Sequence, residues 1–135
     1  MNKRMVSSVA IALFLLAGCA ASGPKLASSF EDIAGTWHSI TSSAEIQFNE
    51  DGTVRRRTAE QTPEDDAGFR FEGTRLILTD TPGRGCTLIG AEIGIYEVEL
   101  LENGNLKFTA IEDECATRLN YLEGALIEAE WEPVP

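Results

Sequence analysis

Histidine is nearly missing from this chain: His38 is the only one among 135 residues. Histidine-based metal sites and catalytic sets need imidazoles at fixed spacings, so a single His removes most of them. The sequence also lacks a Gly-x-Ser-x-Gly nucleophile elbow and a phosphate-binding glycine loop. Positive charge is scarce, with 11 Lys and Arg against 22 Asp and Glu, a net charge of −11. That balance disfavours nucleic acid and anionic membrane surfaces as partners and favours solubility. Apolar runs are short except for one of about 13 residues near the N-terminus, and even that falls below the roughly 20 needed to span a bilayer as a helix. The length suits one domain.

What is present begins with that apolar run. Lys3 and Arg4 give a positive start, residues 5–17 are almost wholly apolar, and Gly18 is small. This is the layout of a secretory signal, and residues 1–18 are set apart from the fold. The run ends in Leu16, Ala17, Gly18 and Cys19, which resembles the lipobox of bacterial lipoproteins. The resemblance implies cleavage before Cys19 and acylation of that residue, a membrane anchor through its lipid chains. An ordinary secretory signal that happens to end in cysteine is the alternative. Ala20 follows Cys19 where an Asp would retain an enterobacterial lipoprotein in the inner membrane. The expected location is therefore the cell envelope, at the outer membrane facing the periplasm.

Loss of residues 1–18 takes Lys3 and Arg4 with it, leaving 9 cations against 22 anions and a charge of −13. With Cys19 assigned to lipid, Cys86 and Cys115 remain as an even pair in an oxidising compartment. A bridge between them would close a loop of about 30 residues, roughly 3–4 kcal/mol by chain entropy. Two thiols binding metal would lack partners. A disulfide is expected and a metal site is not.

Residues 19–32 comprise the lipidated cysteine and an Ala/Ser/Gly tether, with a short helical turn at 30–33, and residues 33–135 form the domain. Within it, period-two alternation predicts strands over 36–41, 44–48, 53–58, 69–72, 75–79, 94–101, 106–110 and 127–132. Ala44, Ile46 and Phe48 share one face, as do Tyr96, Val98 and Leu100, then Leu106, Phe108 and Ala110, and finally Ile127, Ala129 and Trp131. Gly52, Gly73 and the Asn103-Gly104 pair mark hairpin turns. Residues 59–67, with Pro63 and three consecutive acids, read as a loop, as do 80–85. The period of two is lost over 112–122, which reads as a short helical turn before the last strand. The fold class is all-β: a small antiparallel up-and-down barrel of about eight strands.

Gly35-Thr36-Trp37, the hairpin Phe48-Asn49-Glu50-Asp51-Gly52, the strand Gly94-Ile95-Tyr96 and the segment Asp113-Glu114-Cys115-Ala116-Thr117-Arg118 occur in that order. The series resembles the bacterial lipocalin-like domains, over residues 33–135. The resemblance implies that Trp37 plugs the closed end of the barrel and that Arg118 lies across its ring. A guanidinium over an indole is worth about 0.5–2 kcal/mol, which makes the pair structural rather than ligand-binding.

No convergent catalytic set emerges, so the chain reads as a non-enzyme without cofactors. His38 is a surface or rim residue. Glu97 and Glu99 form a solvated strand face opposite Tyr96 and Val98. Arg56, in the only basic run, should point inward with Val54, toward an internal carboxylate, the acid head of a ligand or the open rim. Two functions remain open. In one, a monomeric barrel binds a small apolar ligand near Phe48, Arg56, Phe69, Phe71, Tyr96, Val98 and Phe108. In the other, the core is filled and the module is structural, inhibitory or protein-binding, with an envelope protein as partner. Interior volume separates them.

Overall fold

The computed structural model describes residues 23–57, 64–80, 85–116 and 129–135. Eight antiparallel strands close into a barrel in sequence order. They are β1 (Gly35–Ser39), β2 (Glu45–Phe48), β3 (Thr53–Arg57), β4 (Glu64–Glu72), β5 (Arg75–Asp80), β6 (Ile93–Leu100), β7 (Leu106–Glu112) and β8 (Glu130–Pro133). Trp37 lies opposite Pro133 and Ser39 opposite Trp131, the register that joins last strand to first. The expected up-and-down barrel is the observed one. Closure leaves no sheet edge of the kind that templates aggregation.

Alternation decides what enters the barrel. Trp37, Ile46, Phe48, Val54, Leu76, Leu78, Tyr96, Val98, Leu106, Phe108 and Trp131 are all buried inward. Their outward neighbours are mostly polar, which is the pattern one solvated and one buried sheet face requires. The aromatic rings meet across the interior. Phe48 lies 5.1 Å from Phe69 and 6.3 Å from Phe108, and Phe108 lies 6.3 Å from Trp131. These separations are ordinary ring–ring packing distances.

The two ends of the barrel differ. At one end, the floor, the β2–β3, β4–β5 and β6–β7 connections have four, two and five residues. Gly52 and Gly104 adopt positive φ there, 81° and 87°, as tight hairpin turns demand. Asp51 accepts the Thr53 N–H at 2.9 Å, and the Gly52 carbonyl accepts the Phe69 N–H at 2.8 Å, which ties this turn to β4. At the opposite end, the rim, the β3–β4, β5–β6 and β7–β8 connections have 6, 12 and 17 residues.

The N-terminal segment completes the floor. β5 begins at Arg75, opposite Glu97, so β6 beyond Glu97 runs past the end of its neighbour. Lys25–Ala27 takes that place. Ala27 donates its N–H to the Val98 carbonyl and Leu100 donates to Lys25, both at 2.8 Å. A four-residue helix, α1 (Phe30–Ile33), then crosses to β1 and buries Ile33. Trp37 Nε1 donates to the Ile33 carbonyl at 2.8 Å, satisfying one of the acceptors that a helix end leaves open. The packed body thus begins at Lys25, inside the segment expected to be tether. Ala-Ser-rich chain carries no alternation, and the holding bonds are made by backbone.

Other boundaries move as well. β4 starts at Glu64, within the stretch read as loop, and its register sets Asp65 opposite Arg55 and Glu64 opposite Arg56. The backbone ladder with β3 forms there although three consecutive acids show no apolar alternation. Asp80 ends β5 instead of opening a loop, and Gly85–Ile89 forms a 3-10 turn. Glu112 belongs to β7 and not to a helical turn. The rest of that expected turn beyond Ala116, with residues 127 and 128 of the last expected strand, lies outside the described residues.

Candidate functional site

The rim is where side-chain chemistry departs from simple packing. Alternation along β3 turns Val54 inward and Arg56 with it, leaving Arg55 and Arg57 on the outer face. Arg57 pairs there with Glu45 across the β2–β3 register. Arg56 meets an internal carboxylate: its guanidinium lies 4.0 Å from Asp80, the two side chains being 10% and 6% exposed. Asp80 follows Leu76 and Leu78 on the inward face of β5.

Asp80 also organises the β5–β6 connection. Its Oδ2 accepts the buried N–H of Cys86 at 3.1 Å, and its own N–H donates to the Glu92 carbonyl at 3.1 Å. Cys86 is joined to Cys115 by the expected disulfide, with Cα atoms 5.7 Å apart. Asp113 accepts the Cys115 N–H at 2.9 Å through one oxygen and the Tyr96 hydroxyl through the other. A continuous chain therefore runs from β3 through Arg56, Asp80, the disulfide and Asp113 to Tyr96 on β6. Cys86, Ala91 and Cys115 form a small buried cluster of their own above the main core. The arrangement ties the β5–β6 connection and the segment after β7 to each other and to the barrel wall.

Among the described residues, two depressions are lined by side chains outside the barrel interior. One of about 160 Å³ sits on the outer face of β1–β3, lined by Thr36, Glu45, Gln47 and Arg55–Arg57. The other, about 380 Å³, opens at the rim between Gly90–Ile93 and the end of β7, lined by Glu92, Glu112 and Glu114. Leu88 and Ile89, in the 3-10 turn beside it, are 74% and 69% exposed, and Ile93 and Ile111 are 47% and 45% exposed. Among the described residues, no group of three or more His, Cys, Asp or Glu side chains could hold a metal ion.

Of the residues expected around a ligand, Phe48, Tyr96, Val98 and Phe108 are brought together in the interior and are at most 1% exposed. Phe69 and Phe71 pack against that cluster half-buried. Trp37 stands at the floor; its expected partner Arg118, and Cys19, lie outside the described residues. His38 lies on β1 opposite Glu45, away from the rim network. Sequence reasoning missed Asp80 and the pairing role of Asp113. The period of two through Leu76 and Leu78 does reach Asp80, but a charged residue beside Pro82 and Gly83 reads more readily as a turn.

Comparison of the chain with protein-family models, with curated proteins and with solved structures finds no match. Among the described residues no helix is long and apolar enough to cross a membrane.

Proposed function

We propose that this chain is a lipid-anchored envelope protein whose lipocalin-like barrel presents a surface to other proteins rather than carrying a ligand inside. The observation that supports a filled module is the run of rings through Phe30, Phe69, Phe48, Phe108 and Trp131, each contacting the next at 5.1–6.3 Å. A carrier needs a concave apolar space of roughly 300–1,000 Å³, whereas here the side chains proposed to line it touch one another. Ala27 and Ile33 join the buried cluster at the floor.

Anchoring rests on the Lys3/Arg4 start, the apolar run and the Leu16–Cys19 motif. Outer-membrane placement rests on Ala20. Because Lys25 lies against Leu100 and the chain runs from there toward Ala27, residues before Lys25 leave at the floor. Five residues separate Cys19 from Lys25 in the sequence. Acylated Cys19 would then hold the floor toward the bilayer and turn the rim away from it.

Native mass spectrometry of the purified full-length protein tests both parts. The expected mass is that of residues 19–135 plus acyl chains, with no further small molecule retained. A stoichiometric apolar compound released on unfolding would overturn the filled-module reading. Unmodified soluble protein beginning after residue 18 would overturn the anchor. Cys19→Ala should move the protein from the membrane to the soluble fraction.

A further inference from the structure

From the rim we infer a docking site for a partner protein's apolar segment flanked by lysine or arginine, an inference that rests on the presentation reading above. Leu88, Ile89, Ile93 and Ile111 are large aliphatic side chains at or above 45% exposure, carried by the 3-10 turn, the start of β6 and the end of β7, all at the rim. Scattered apolar residues need no explanation, but a cluster bordered by polar groups marks an interaction surface. Local structure accounts for its prominence. The 3-10 turn carries Leu88 and Ile89 outward while Cys86, two residues earlier, is pinned inward by its disulfide and by Asp80. The pairing of β6 with β7 shifts register between Ile95 and Tyr96, which leaves Ile111 as an extra residue on β7 opposite that step.

Charge selects the occupant. Glu112 and Glu114 are exposed and line the 380 Å³ depression that adjoins the aliphatic cluster. A chain of net charge −11 offers such a surface to cations and repels nucleic acid and anionic lipid. A second copy fits poorly, because a twofold contact would set Glu112 and Glu114 against their own counterparts. An apolar segment with basic flanks meets both halves of the surface at once. Its aliphatic side chains would cover Leu88 and Ile89, and its ammonium or guanidinium groups would reach the two carboxylates.

The test uses the full-length acylated protein in zwitterionic nanodiscs, with empty discs as blank. The probe is a short fluorescein-labelled peptide alternating lysine and leucine, compared with one alternating glutamate and leucine. Saturable binding of the first and not the second is expected. Leu88→Ser with Ile89→Ser, and separately Glu112→Gln with Glu114→Gln, should each weaken it by about tenfold. All four positions are exposed, and an unchanged near-ultraviolet circular dichroism spectrum verifies that each variant is folded. Absence of binding, equal binding of both peptides, or indifference to either variant pair would overturn the site. A wild-type dimer abolished by the same substitutions would assign the face to a second copy and overturn it as well. A bound small molecule in native mass spectrometry would instead defeat the filled-barrel reading, so the two failures are distinct.

Discussion

Asp80 occupies a position that alternation reserves for an apolar side chain. Its carboxylate faces Arg56 at 4.0 Å and caps the Cys86 N–H at 3.1 Å. Burying such a pair is costly, and the net worth of the pair is small. Removing one partner is another matter, since the remaining charge stays buried. Asp80→Ala is expected to lose about 3–5 kcal/mol in urea unfolding, while the double variant Arg56→Met/Asp80→Leu should recover much of that. A full loss in the double variant would show that the Cys86 cap, not the charge pair, carries the effect. In the core, Phe108→Ala should cost about 3–5 kcal/mol because its ring contacts Phe48 and Trp131 with little room to relax. Inward Arg56 was legible from Val54 by simple alternation. Its partner was not, because nothing in the order of residues tells that β3 and β5 face each other across β4 at the rim.

Single elements show the same division between local signal and context. α1 has four residues, too few to hold a helix by itself. Asp32 accepts the N–H groups of Ser28 and Ser29 at 2.9 and 3.2 Å, and these bonds, Ser28's first, hold its carboxyl below the ordinary range. A carboxyl depressed by folding stabilises the folded state above its unfolded value, and that contribution is lost as pH falls through the folded one. Asp32→Asn should therefore lower stability at neutral pH and flatten its decline as pH falls through and below the usual carboxylate range, the two proteins converging in acid. An unaltered acid profile would exclude Asp32 as a contributor. The cysteine pair acts on a larger element, since it encloses β6 and β7 whole at a sequence separation of 29. Cys86→Ala/Cys115→Ala should cost about 3–4 kcal/mol by unfolded-chain entropy. Strands β2, β6 and β7 were legible because each alternates cleanly. The start of β4 was not, since its three consecutive acids carry no apolar alternation and it is the backbone register with β3 that makes it strand.

At the scale of the whole molecule, closure and polarity could be read separately. Eight alternating segments joined mostly by tight turns imply a ring, because a meander of that length is left with two edges unless it closes. The docking of Lys25–Ala27 on β6 could not be anticipated, yet it sets which end the N-terminal chain leaves from. With the lipid anchor in place, a spin label at Asn103 should be relaxed by a lipid-bound paramagnet more strongly than one at Leu88. The reverse order would place the rim, not the floor, against the bilayer. The position of the disulfide has a bearing on cleavage. Its two sulfurs sit on either side of the stretch that contains the β6–β7 hairpin, residues 101–105. A protease that nicks this hairpin at the floor severs the backbone without parting the pieces, so both halves migrate as one band until a reductant is added.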